Sequence, residues 1–403
     1  MQAETNPDRD APLDQVDEWN AEDASELVRP EKPSDYEVAI AARDWTVETI
    51  VQQVRQGNID LDPAFQRRNA WRDNRRSRLV ESFILGFPVP QIVLAENPRR
   101  KKTFIVIDGK QRLMTVAGLY LQTHRAYWTQ PRFSGLEVLK DLNRVTIEEF
   151  LSGTQFSTWR RQLGNADIRT TVITGFSDEQ VLYDIFYRIN TGSVPLSSQE
   201  LRQVLNRGEF ARFLIEVTSV ANGIWKVLGI SVPDPRLRDV ELLLRLVAWR
   251  RFSKDYIGNM KPFLDEAMQK LNDVWPSERA AIQSLVQQIF KGVDTAIEVF
   301  GEHAGHKFKS GRYEVSLNRA LFEVQAYYFS FPRVRDSARG KKRALQTAFK
   351  DLSSDEDFTN SIEATTKSIE NYRIRFDKYR HALRKATGYE ADSLPLAHGG
   401  RNK

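Results

Sequence analysis

Residues Thr103–Tyr120 read TFIVIDGKQRLMTVAGLY: a β-branched and aromatic run, a break at Asp-Gly, then apolar residues at helical spacing. That order spells strand, sharp turn, helix. Asp108 is placed to cap the helix, Gln111 to reach back as in a capping box, and Gly109 to relieve the turn. Lys110 and Arg112 then fall in the first helical turn, where the helix dipole disfavours a cation by roughly 0.3–1 kcal/mol each. An anion at the helix start would remove that cost, because free backbone N–H groups and two cations converge on it; phosphate is the natural guest. The stretch is not a Walker P-loop, which needs an earlier glycine and a hydroxyl where Gln111 stands.

Upstream, LDPAFQRRNAWRDNRRSR (Leu61–Arg78) holds arginines at 67, 68, 72, 75, 76 and 78, with Gln66 and Trp71 among them. Some of these are simply solvated. Arg75 and Arg76, however, open a second helix, and two cationic helix starts point to one polyanionic site. Downstream, FYRINTGSVPLSSQEL (Phe186–Leu201) ends a helix at Asn190-Thr191-Gly192, with Arg188 suiting the dipole in its last turn. Ser197 and Glu200 have the spacing of a capping box for the next helix.

Around these motifs, WTVETIVQQVRQG predicts a helix with Val47, Ile50, Val51 and Val54 on one face, capped by Thr46 and stopped by Gly57. NRRSRLVESFILG repeats the scheme and stops at Gly86, and PQIVLAE, TFIVI and IRTTVITGF read as short strands. From Ser177 onward the pattern is helical, ending in SIENYRIRFDKYRHALRKA. There Ile369, Tyr372, Phe376, Tyr379 and Leu383 form a stripe that is either core-facing or the seam of a homodimer. The expected class is α+β: residues 1–37 an acidic leader, 38–176 a small mixed α/β domain, 177–388 an all-helical region and 389–403 a flexible tail.

With 403 residues, 41% of them apolar, the chain can build real cores. It has no cysteine, which excludes disulfides, thiol catalysis and thiolate zinc sites. Of its five histidines, His303 and His306 in GEHAGHKF read as a surface loop, and no metal is placed there. No run of eighteen apolar residues and no signal-peptide pattern occurs, so a membrane role is not expected and the cytoplasm is. Residues 1–37 carry twelve Asp or Glu against three Lys or Arg, so the net charge of +5 conceals a strongly basic remainder. Such a leader reads as a solubilising tail, or as a weak competitor for a polyanion.

Taken in order, PAFQRRNAW, LVESFILGFPVPQIVL, FIVIDGKQRLMTV and IFYRINTGSVPLSSQEL resemble the N-terminal domain of the GmrSD-type restriction endonucleases, a family marked by a D-G-Q-Q-R box. The resemblance implies a ParB- and sulfiredoxin-related fold that holds a nucleoside triphosphate with Mg2+, coupled to restriction of modified or foreign DNA in phage defence. On that reading Lys110, Arg112 and Arg67 hold phosphates, and Asp108 orients a metal-bound or attacking water. Gln66 and Gln111 position phosphate oxygens or that water, and Gly109, Arg188 and Asn190 complete the nucleotide site. The alternatives are a nucleotide-switched DNA-binding module without turnover, and a direct nuclease in which Asp108 and Glu81 or Glu96 hold a metal. Two departures stand out. Lys110 replaces the usual Gln, and the histidine constellation of an HNH nuclease is missing, which implies that this chain does not cut by that mechanism alone and makes a nuclease partner conceivable.

Overall fold

The computed structural model describes residues 38–59, 61, 71–97, 100–176, 181–182, 185, 197–363 and 368–396. The acidic leader lies outside them. The chain divides into two compact units, one ending at Leu205 and the other resuming at Asn206.

The first unit is built on a four-stranded sheet in the order β1-β4-β2-β3, comprising β1 (Ala39–Thr46), β2 (Ile92–Glu96), β3 (Phe104–Asp108) and β4 (Asp167–Thr174). β2 and β4 are parallel and the other two pairings antiparallel. Because side chains alternate along a strand, Ile92 and Leu94 enter one core while Val93 and Ala95 enter another. The larger core is closed by α1 (Val47–Arg55), α2 (Asp73–Leu85), α3 (Lys110–Tyr120), α4 (Ile147–Ser152) and α5 (Ser157–Gly164). Thr46 caps α1 as expected, its hydroxyl accepting from the Thr49 N–H, and α2 stops at Gly86 in the left-handed region.

The boundary expected at residue 177 moves to 205. Val93, Ala95, Ile105, Ile107 and Ile173 form an apolar sheet face that must be covered, and Leu182, Leu201 and Leu205 cover it. Leu201 and Leu205 come from α6 (Ser198–Leu205), which opens with the expected capping box: Glu200 Oε2 accepts from the Ser197 N–H at 2.7 Å and Ser197 Oγ from the Glu200 N–H at 3.1 Å. β1 was not foreseen, since AIAARDWT lacks strand alternation and most of it is exposed.

The second unit contains α7 (Glu209–Thr218), α8 (Gly223–Leu228), α9 (Arg238–Phe252), α10 (Met260–Phe300), α11 (Arg319–Phe329), α12 (Pro332–Ala338), α13 (Lys342–Leu352), α14 (Glu356–Glu363) and α15 (Ile369–Thr387). A hairpin of β5 (His306–Lys309) and β6 (Arg312–Leu317) interrupts the helices. His306 therefore lies in a strand rather than a loop, its Nδ1 3.0 Å from the Glu314 carbonyl oxygen. Tyr372, Phe376, Tyr379 and Leu383 of α15 are buried within the unit, so the stripe is core and not a dimer seam. Residues 389–396 are irregular but bury Ala391 and Leu394, so the tail does not begin at 389.

Candidate functional site

The Asp-Gly turn joins β3 to α3 as the sequence suggests, but its capping chemistry differs. The N-cap is Gly109, at φ +93°, and no side chain caps the helix. Asp108 is turned instead to Arg112, whose Nη2 donates to Asp108 Oδ2 at 2.7 Å and to the Gln91 carbonyl at 2.9 Å. Gln111 does not reach back either: its Oε1 accepts from Arg76 Nη2 at 3.1 Å. A Cβ on Gly109 would stand 2.9 Å from Ile92 Cγ1 and 3.2 Å from Arg112 Nη2, so any other residue strains the turn.

Both first-turn cations thus have carboxylate neighbours. Arg112 pairs with Asp108, and Lys110 Nζ lies 3.9 Å from Glu200 Oε1, with both members of each pair largely shielded. These carboxylates offset the helix-dipole cost that the sequence alone leaves to a phosphate. The second cationic helix start is also settled internally. Arg76 is fully buried, donating to Thr115 Oγ1 at 3.0 Å as well as to Gln111, and burial pulls its pKa down to about 10 against the opposing influence of Asp73. Arg75 lies over the Trp71 ring at 4.4 Å.

Other polar groups of α2 hold a loop. Asp73 accepts N–H bonds from Thr129 and Gln130, Ser77 from Ser134, and Glu81 from Val138 and Leu139. Glu96 accepts from the Lys102 N–H. Glu81 and Glu96, the carboxylates of the direct-nuclease reading, thus accept from backbone donors. Among the described residues, no group of three His, Asp or Glu is arranged to hold a metal.

Three features still suit an anion. The N–H groups of Gln111 and Arg112 precede the first intrahelical bond, Leu113 N–H to the Gly109 carbonyl, and the glycine N-cap has no side chain to accept from them. Arg112 Nε is buried without a hydrogen-bond partner among the described residues. Because Arg76 can only donate, it fixes the Gln111 carbonyl toward itself and leaves the Gln111 amide N–H groups as donors. Sequence reasoning set Arg76 at a polyanionic helix start and not on Gln111, and it did not assign Gln91 or this use of Glu200; only the capping box pointed to Glu200. Gln66, Arg67, Arg188 and Asn190 lie outside the described residues, so their place at the turn is not given.

The first unit is thus a mixed α/β domain with a strand-turn-helix whose helix start is flanked by cations. Residues 47–205 match the family model of the GmrSD restriction endonuclease N-terminal domain. The matched span ends at the residue where the first compact unit ends. No curated protein and no solved structure matches the chain. Among the described residues, no helix is long and apolar enough to cross a membrane.

Proposed function

We propose that the first unit binds a nucleoside triphosphate at the Asp108–Arg112 turn and that binding governs the protein's action on DNA. The observation that carries this reading is the start of α3, where a glycine N-cap supplies no capping side chain and the buried Arg112 Nε has no hydrogen-bond partner among the described residues. Arg112 and Lys110 would hold phosphate oxygens, with the Gln111 amide donating a further bond. Asp108 would hold Mg2+ once Arg112 turns from it toward phosphate. The bound ion would supply charge neutralisation between phosphate oxygens. Arg67, Gln66, Arg188 and Asn190 belong to the same proposed site.

Phosphate must compete with Asp108 and Glu200 for the two cations, so nucleotide binding would rearrange contacts on both sides of the turn. The Gln111 carbonyl and the Asp108 carboxylate are both engaged, by Arg76 and Arg112 respectively, which favours a second reading: a nucleotide-dependent switch without turnover. Phosphate release measured with and without DNA separates the two. Release stimulated by DNA supports hydrolysis; a stable nucleotide complex with no release supports the switch; no nucleotide binding at all rejects both. DNA is the expected partner because the domain is of restriction type, and cleavage would fall to a separate nuclease.

A further inference from the structure

In the second unit, α15 carries a face rich in Arg and Lys. Its cations are already matched: Arg373 pairs with Glu370, Lys378 with Asp355 and Asp357, Arg380 and Arg384 with Glu390, and Lys385 with Asp351. A different segment is not balanced in this way. Between Arg333 and Arg343, PRVRDSARGKKR places six Lys or Arg against one Asp. Two of the six are used inside the unit, Arg335 on the Phe329 carbonyl and Lys341 on the Thr387 carbonyl. Arg339 shares Asp336 in a pair that is almost fully exposed.

Arg333, Lys342 and Arg343 are exposed and have no carboxylate partner among the described residues. Lys350, exposed and with its ammonium 5.1 Å from the Phe308 ring, extends the same face of α13, seven residues and about 10 Å beyond Arg343. Leu345, Ala348, Phe349 and Leu352 anchor the opposite face in the core, which fixes the cations outward on a rigid element. A row of exposed cations with one exposed acid between Arg333 and Arg343 raises the local positive potential. Such a row matches a regularly spaced polyanion better than a small anion, which would need a pocket.

We propose that Arg333, Arg339, Lys342, Arg343 and Lys350 form a docking surface for the phosphate backbone of duplex DNA. The proposal rests on the DNA reading above and adds the surface that would carry it. These contacts go to phosphates and carry no sequence information, so they position the protein on DNA whatever its sequence.

The test uses the full chain and a fluorescent DNA duplex, with affinity measured by anisotropy from 50 to 200 mM salt. Each phosphate contact contributes about 0.9 to the slope of log affinity against log salt. The variant Lys342→Gln/Arg343→Gln/Lys350→Gln is expected to keep its melting temperature and lose about 2.7 of that slope. Arg373→Gln/Arg384→Gln, on the paired face of α15, is expected to leave the slope unchanged. An unchanged slope in the triple variant overturns the surface while leaving the DNA reading intact, and an equal loss in both variants overturns it as mere bulk charge. Wild type that binds no duplex at low salt overturns the DNA reading and the surface together. Competition by poly-glutamate as effective as by unlabelled duplex reassigns the surface to an acidic protein.

Discussion

Gly109 is the residue on which the turn depends. A side chain at φ +93° costs about 1–2 kcal/mol in backbone strain before its Cβ meets Ile92. Gly109→Ala is expected to lose at least about 2 kcal/mol, read as a lower urea midpoint at unchanged m-value. Wild-type stability in this variant would show that the turn tolerates a side chain. The sequence made Lys110 and Arg112 conspicuous because their position breaks a local rule, but it could not disclose their partners. Glu200 comes from a helix far along the chain, and Gln91 contributes only a backbone carbonyl, which no residue pattern marks. The capping role foreseen for Asp108 lost to a stronger attraction: a charge-assisted bond to a guanidinium four residues on.

At the scale of elements, α6 links the turn to the rest of its unit. Glu200 serves its own helix through Oε2 and faces Lys110 through Oε1. Glu200→Gln keeps a capping side chain but removes the charge, so it is expected to bind nucleotide more tightly than wild type in titration calorimetry. Weaker binding would show that Glu200 assists the site instead of competing with it. The β5–β6 hairpin carries a separate expectation. Burial lowers the His306 pKa, with bonding to the Glu314 backbone opposing it, so His306 sheds its proton more readily folded than unfolded. The unfolded chain then binds more protons below its own pKa of about 6.5, and stability falls as pH drops through that window. Melting temperature should decline from pH 7 to pH 5, and less steeply in His306→Gln; equal slopes would contradict the assignment. Helices with strong apolar periodicity were legible in the sequence. β1 and this hairpin were not, because their burial pattern is set by neighbours. α10 likewise runs through Pro276, where a local rule would end it, since Leu271, Trp275, Ile282 and Val286 continue its buried stripe on both sides.

For the whole molecule, the division at Leu205 follows from a two-sided sheet. The run IVLA at 92–95 reads as one strand, but its unbroken apolarity means burial on both faces, and the second cover comes from beyond the last strand. A fragment of residues 27–205 is expected to unfold cooperatively, whereas 27–176, with that face bare, should lack a cooperative transition by circular dichroism. Equal cooperativity would contradict the division. The central claim, that a nucleoside triphosphate occupies the Asp108–Arg112 turn, is met most directly by calorimetric titration of the full chain with a panel of Mg2+-triphosphates. Wild type should bind at least one of them. Arg112→Ala, at an unaltered melting temperature, should bind it tenfold or more weakly, a loss of about 1.4 kcal/mol. Absence of binding to wild type, or undiminished binding in Arg112→Ala, would contradict it.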